Sequence, residues 1–528
     1  VRLNRFPDQS PVPAFWRAIL LCGLATTLLR FPTLLRSVLD WDESLYVLVA
    51  GQVLSGHLPY TTVWDNKPPG IYVIFAVFEA LCRDPVLAIR AATIVFTTAL
   101  AGLLWRLAFI ICAGAPAAAQ PRLAWLAALS FIVGALSNDG LAANTELFME
   151  CFSVAAILAA IDPGFCAGRP AGRAFCTGVL FSLACLTKYV AVFEAQAVGF
   201  ALLFCAHLSW RDRMARGAIA VAGAALAPAC IVLIYAAAGD LGLWWSCSIA
   251  SNITRVAVPF SGAQLQSVAL TILPRWAPAI LAACLLLVTL PIRGGSLAPP
   301  GFSFARRAQA LLALWLVGGT LGVISAKSFY DHYFLQILPP ACLALAFMAA
   351  RFAPALLATP RRAAGLIAAL LLIPGVAGYD ALAAIMQPLE TTGDTPRQIA
   401  TLLRPQITAG ASLYVFDGQP IIYALTGAAP PTRYVLPSVL IRCFLAGVAG
   451  VNATREVGHI LATNPKYIIR ASRPVSTPNV TVYAELTADL AARYELWRSF
   501  GEEDVYRLRQ GAPPLRPFTI PDSCTPPA

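Results

Sequence analysis

Asp42 and Glu43, followed about twenty-five residues later by Lys67, have the types and spacing best suited to chemistry in this sequence. They stand in Asp40-Trp41-Asp42-Glu43-Ser44-Leu45-Tyr46 and in Trp64-Asp65-Asn66-Lys67-Pro68-Pro69-Gly70, in a chain of which only 12% is charged. A carboxylate beside a cation suits transfer of a group from a phosphate-linked donor. An acceptor hydroxyl is a very weak acid, so a carboxylate must take its proton as the new bond forms. The departing phosphate gains charge, which a fixed Lys or Arg stabilises more in the transition state than in the ground state.

Further polar residues recur in short stretches between apolar runs. They are Asn138, Asp139, Asn144 and Glu146; Lys188-Tyr189; Trp244, Trp245, Asn252, Arg255 and Arg275; and Lys327, Tyr330, Asp331, His332 and Tyr333. Trp244 and Trp245 read first as an aromatic belt at a membrane interface.

The elements that must position these groups are membrane helices. The chain has 528 residues and is 58% hydrophobic, and a soluble protein would carry roughly twice this charged fraction. Apolar runs at about 16–33, 86–111, 122–137, 147–161, 174–187, 189–208, 217–238, 276–292, 308–325, 333–350 and 363–379 read as eleven spans. The net charge of +11 is no nucleic-acid signal. Its basic residues sit in short loops, as on the cytoplasmic side of a membrane protein.

Placing Arg2, Arg5 and Arg17, Arg169/Arg173, Arg211/Arg213/Arg216, Arg293/Arg306/Arg307 and Arg351/Arg361/Arg362 inside satisfies all eleven crossings. It puts residues 40–70, 138–146, Lys188, 240–275, 327–332 and all that follows Tyr379 outside. The run at 71–82 is short and reads as in-plane or re-entrant, with thirteen spans the alternative count. Leu45, Tyr46, Val49 and Val53 suggest an amphipathic interfacial helix that stops near Gly56.

Residues 380–528 carry charges of both signs. They hold β-rich runs at Leu413–Phe416, Tyr467–Ile469, Tyr494–Trp497 and Val505–Leu508, with helical pattern from Arg455 to Thr463. This predicts a small α/β domain with a Pro-rich tail from Ala512. Most of the fourteen Cys lie in apolar runs as small apolar residues, and no metal-ligand spacing occurs. Cys443 and Cys524 are the candidate pair if their region is periplasmic.

Asp42-Glu43 after the first span, Lys67-Pro68-Pro69-Gly70, Glu146 at a span start and His332-Tyr333 before Pro339-Pro340 together resemble polyprenyl-phosphate-sugar-dependent glycosyltransferases of the GT-C fold. The branch is that of the bacterial relatives of protein O-mannosyltransferases and the lipid A aminoarabinose transferase. The resemblance covers roughly residues 15–350. It implies an all-α polytopic membrane protein with about 11–13 transmembrane helices and a small C-terminal periplasmic α/β domain. The protein would sit in a bacterial inner membrane with its N-terminus cytoplasmic.

The implied reaction moves a sugar from a polyprenyl-phosphate donor, with inversion, to a hydroxyl of a lipid, glycan or protein acceptor. Asp42 takes the general-base position, with Glu43 as its paired acid. Lys67, Lys188, His332, Tyr333 and Arg255 fall to the donor phosphate, and Asp65, Asn144, Glu146 and Tyr46 to acceptor or sugar. Lys188 follows Thr187, as the family's lysine commonly follows a Thr. Where many relatives have Glu before the lysine, this chain has Asn66, with Asp65 one position earlier.

A transporter or flippase of lipid-linked sugars is the rival reading. It would place its charges near the bilayer midplane and show repeats; here the charges collect at one face, Glu194 apart, and no repeat is visible. A structural assembly subunit would have no use for a hydroxyl-deprotonating acid. Asp40-Trp41-Asp42 looks like the Asp-x-Asp of metal-using transferases, but a monophosphate donor has less need of a metal. The expectation is no metal and no cofactor.

Overall fold

The computed structural model describes residues 12–166, 168–205, 208–256, 261–290, 304–473, 478–518 and 524. Arg2, Arg5, Arg293 and most of the tail beyond Phe518 lie outside the described residues. In chain order the helices are α1 (Val12–Arg30), α2 (Trp41–Leu54), α3 (Gly70–Cys82), α4 (Pro85–Ile111), α5 (Gln120–Gly134), α6 (Thr145–Ile161), α7 (Pro170–Thr187), α8 (Ala195–Phe204), α9 (Trp210–Ala238), α10 (Leu241–Trp244) and α11 (Ser251–Val256). There follow α12 (Gly262–Ile272), α13 (Ala277–Val288), α14 (Phe304–Ala326), α15 (Leu338–Phe352), α16 (Pro360–Thr391), α17 (Thr395–Thr408), α18 (Ile421–Thr426), α19 (Pro437–Ile441), α20 (Cys443–Ala449), α21 (Ala453–Ala462) and α22 (Val480–Arg493).

Among the described residues, every expected apolar run lies mostly on helix. Among the described residues eight helices are long and apolar enough to cross a membrane. They occupy Pro13–Leu35, Pro85–Ile111, Pro170–Thr187, Trp210–Ala238, Gly262–Val288, Phe304–Ala326, Asp331–Phe352 and Pro360–Thr391. The other three runs lie on α5, α6 and the segment Tyr189–Phe204, which are shorter. Leu233, Leu281, Leu372 and Val376 are exposed, as apolar side chains facing lipid would be. The architecture is that of a polytopic helical membrane protein with a small C-terminal β-sheet domain.

The chain forms two compact units. One comprises Val1–Phe31, Thr93–Ala238 and Pro259–Ala383; the other comprises Pro32–Ala92, Gly239–Val258 and Ala384–Ala528. In the first unit, α7 and α9 meet backbone to backbone. A Cβ on Gly178 would fall 1.9 Å from the Ala220 carbonyl oxygen, and one on Gly223 would fall 2.3 Å from that of Phe175. Small residues permit this approach, and close packing is what holds helices together in lipid.

In the second unit, four strands, β1 (Leu413–Asp417), β2 (Tyr467–Ala471), β3 (Tyr494–Phe500) and β4 (Glu503–Leu508), form a sheet of order β1-β2-β4-β3. β1 and β2 are parallel, and β4 runs antiparallel to β2 and to β3. All four strands were legible as β-rich runs. Tyr414, Phe416, Ile468, Val457, Ile460, Leu486 and Leu490 make the core, and Trp41 of α2 packs against it. Cys443 and Cys524 form a disulfide.

Two local expectations change. The stretch from Glu43 to Leu54 is helical and stops before Gly56, whose φ of +88° a glycine accommodates. It is not amphipathic, because Glu43, Ser44, Leu45, Tyr46, Val47, Val49 and Ala50 are all buried; packing encloses the helix instead of leaving one face to water. The last apolar run also continues past Tyr379, through Pro388, to Thr391, and ends just before Gly393, whose φ is +78°. The run at 71–82 is α3, too short to cross a bilayer by itself.

Candidate functional site

Asp40 shapes the local geometry of the second unit. Its backbone is extended, and its side chain accepts a hydrogen bond from the Asp42 amide at 2.8 Å, capping α2. The cap places Asp42 and Glu43 in the first turn, where the helix dipole favours acids. The two then part company. Glu43 is buried and takes two hydrogen bonds from Arg90, at 3.0 and 2.8 Å, and one from the Leu39 amide at 2.5 Å. Asp42 is the more open acid, its side chain 23% exposed, and its Oδ2 lies 3.0 Å from Lys67 Nζ. The Tyr46 hydroxyl donates to the same oxygen at 3.4 Å.

Lys67 is held from several sides. Asp65 Oδ1 is 3.7 Å from its Nζ, and the Tyr46 ring centroid is 5.7 Å away. The Tyr60 hydroxyl donates to the Lys67 carbonyl at 2.6 Å, and Asn252 donates to the Asn66 carbonyl at 2.6 Å. Pro69 then caps α3, so the chain leaves the lysine in a fixed direction. Burial alone would depress the ammonium pKa, but Asp42 and then Asp65 outweigh it, and the net shift is upward. Arg255 is close enough to oppose them. Lys67 is therefore a permanent cation.

Asp65 is itself buried and accepts from Tyr72 and from the Asn66 amide, each at 2.7 Å. Burial raises its pKa; Lys67 opposes this and Asp42 adds to it, with the net effect upward. At the position before the lysine, Asn66 supplies backbone contacts, while Asp65 is the acid that reaches Lys67.

The first unit holds a second group. Asn144 stands directly before α6, and its side chain donates to the Asp139 carbonyl at 2.8 Å. Glu146, in the first turn, forms an ion pair with Lys188, the residue that ends α7. The Lys188 ammonium lies 4.2 Å from the Tyr333 ring centroid. His332 meets Tyr333 edge-on at 4.9 Å and stacks on Tyr330 at 5.8 Å, with Nδ1 4.0 Å from Asp139. Arg275 donates to Asn138 at 2.6 Å and lies 3.6 Å from Asp331.

The expected site residues therefore fall into two sets. Asp42, Glu43, Tyr46, Asp65, Lys67 and Arg255 belong to the second unit, and Asn144, Glu146, Lys188, His332 and Tyr333 to the first. Sequence reading missed Arg90, Tyr60 and Tyr72. Arg90 carried a signal, since an arginine in an apolar helix needs a partner; the tyrosines carried none. Among the described residues no group of three or more His, Cys, Asp or Glu is placed to hold a metal ion.

No protein-family model matches this chain. No curated protein matches it either. Solved structures do. ArnT from Cupriavidus metallidurans, bound to undecaprenyl phosphate, is similar over 94% of this chain and 98% of that one, with a TM-score of 0.62 at 12% identity. The apo oligosaccharyltransferase of Archaeoglobus fulgidus is similar over 95% of this chain and 75% of its own, with a TM-score of 0.50 at 13% identity. Arabinofuranosyltransferase AftD from Mycobacteria is similar over 96% of this chain and 42% of its own, also with a TM-score of 0.50, at 14% identity. The fold is one that membrane glycosyltransferases use.

Proposed function

We propose that this chain is an integral-membrane glycosyltransferase. It moves a sugar from a polyprenyl-phosphate donor to a hydroxyl of a lipid, glycan or protein acceptor on the periplasmic side. The observation that carries the reading is the 3.0 Å contact between Asp42, the more open acid of its pair, and Lys67. The shared fold supports it, and one of the similar proteins is a structure bound to undecaprenyl phosphate.

The acceptor hydroxyl attacks the anomeric carbon as its proton passes to Asp42. The bond from that carbon to the phosphate oxygen breaks, and the electron pair leaves with the polyprenyl phosphate. Attack opposite the leaving group inverts the centre. Lys67 and Arg255 stabilise the growing phosphate charge, and Glu43, tied to Arg90, holds the first turn of α2 in place. Asp65 and Tyr46, in the same unit as Asp42 and Lys67, serve sugar or acceptor.

The reaction runs without a divalent cation in this reading, because a monophosphate donor has less need of one than a diphosphate. The periplasmic placement rests on the basic loops and is supported by the Cys443–Cys524 disulfide, since such bonds persist in oxidising compartments.

The test is release of polyprenyl phosphate from a purified polyprenyl-phosphate sugar by the purified chain in lipid, with a cell-envelope extract supplying the acceptor hydroxyl, with and without chelator. Release that continues under chelation is expected. Movement of intact donor across vesicles with no release would replace the transferase with a flippase.

A further inference from the structure

A second buried acid pair lies in the first unit, and the proposed reaction leaves it unused. Glu150 follows Glu146 by about one turn on the same side of α6. Glu194 ends the 3-10 segment Tyr189–Glu194, which begins directly after Lys188. Both acids are 1% exposed. All four of their carboxylate oxygens lack a hydrogen-bond partner within the protein. Ser153 Oγ and the indole N–H of Trp315 on α14 lie beside Glu194, and they too are buried and unmatched.

The titratable groups facing the pair are Glu146 on α6, already joined to Lys188, and Cys185 on α7. Neither acid has an ion-pair partner among the described residues. Met149, Ala184 and Ala191, backed by Phe152 and Val190, supply an apolar wall.

Two ionised carboxylates facing each other in such a place would carry a desolvation cost that no cation offsets. The unmatched Ser O–H and Trp N–H are donors. An indole N–H repels a metal cation and suits a carboxylate, whereas one proton between two carboxyls completes the set of donors and acceptors. We propose that Glu150 and Glu194 form a carboxyl pair that holds a proton at neutral pH. The resulting hydrogen bond ties segment 189–194 to α6 and positions Lys188 against Glu146.

Infrared spectroscopy of the full chain in lipid nanodiscs reads the proton directly, because a protonated carboxyl absorbs at higher frequency than a carboxylate. Glu503 adds background in the same region, since burial pushes its carboxyl up to about 7. The difference between wild type and Glu150→Gln/Glu194→Gln therefore isolates the pair, and amide substitution keeps the shape needed for folding. The expected result is loss of a protonated-carboxyl band in the double variant. Coincident spectra would show that both acids are ionised and would overturn the proposal. Stabilisation of wild type, but not of the double variant, by added sodium, potassium or calcium would also overturn it, because a cation would then hold the pair. The positioning role is read by labelling Lys188 with an amine-reactive reagent. Glu194→Ala should raise its labelling severalfold and Glu194→Gln should not; equal labelling in all three proteins removes that role.

Discussion

Lys67 Nζ sits 3.0 Å from Asp42 Oδ2 and 3.7 Å from Asp65 Oδ1, so one ammonium is shared between a partly open acid and a buried one. Asp65 cannot leave, being fixed by Tyr72 and the Asn66 amide. Asp42 is the more exposed of the two, its side chain 23% exposed against 2% for Asp65. A ligand phosphate drawing on Lys67 would thus compete with Asp42 first, which couples the proposed base to the proposed leaving-group contact.

Removing the base should separate chemistry from binding. Asp42→Asn keeps the shape and loses the proton acceptor, so transfer should fall by about 10²–10⁴-fold while donor binding stays near wild type. A near-parental rate would show that Asp42 is not the base.

Lys67 should matter more to rate than to affinity, because its contact strengthens as the phosphate leaves. Lys67→Met should lower the rate at saturating donor more than it weakens donor binding. Lys67→Arg should restore part of the activity, since a guanidinium keeps the charge but not the compact geometry. Poor binding with normal turnover at saturation would reduce Lys67 to an uptake contact.

The Glu43–Arg90 pair should behave as a unit. Both side chains are fully buried, and removing one partner leaves an uncompensated charge that costs about 3–5 kcal/mol. Arg90→Met should lower the unfolding temperature of the purified chain sharply, and Glu43→Gln added to it should recover part of the loss. Strict additivity of the two changes would rule out the coupling.

The C-terminal sheet should lose stability as pH rises. Burial lifts the Glu503 carboxyl to about 7, against the Gln419 amide that favours the charge and with Asp417 adding to the lift. The folded state therefore binds more protons than the unfolded one between the ordinary carboxyl range and about 7. The cost is absent below that window and complete above it, on the order of 3 kcal/mol. Hydrogen exchange of β4 in the full chain should speed up as pH rises through it, after correction for intrinsic exchange. Glu503→Gln should flatten the trend; an unchanged slope would assign the effect elsewhere.

Orientation is open to a fusion test. A reporter active only in the periplasm, inserted at exposed Gly410 between α17 and β1, should be active. Activity from a cytoplasmic reporter alone would invert every loop and remove the proposed site from the outer face.

The sequence by itself determined the features that neighbouring residues decide. Apolar runs marked the membrane helices because hydropathy is additive along a segment. The strands at Tyr467 and Val505 were visible because β-branched and aromatic residues cluster there, and Gly56 marked the end of α2 because a left-handed residue favours glycine. Asp42 and Lys67 stood out as charges in an apolar chain. Their partners did not. That Glu43 would turn to Arg90, that Asp65 rather than Asn66 would reach Lys67, and that Trp41 would join the core of the C-terminal sheet was decided by tertiary structure alone. The enclosure of α2 was decided there too. Partner choice for a buried charge depends on which distant residues packing brings within about 3 Å, and no pattern along the chain encodes that distance.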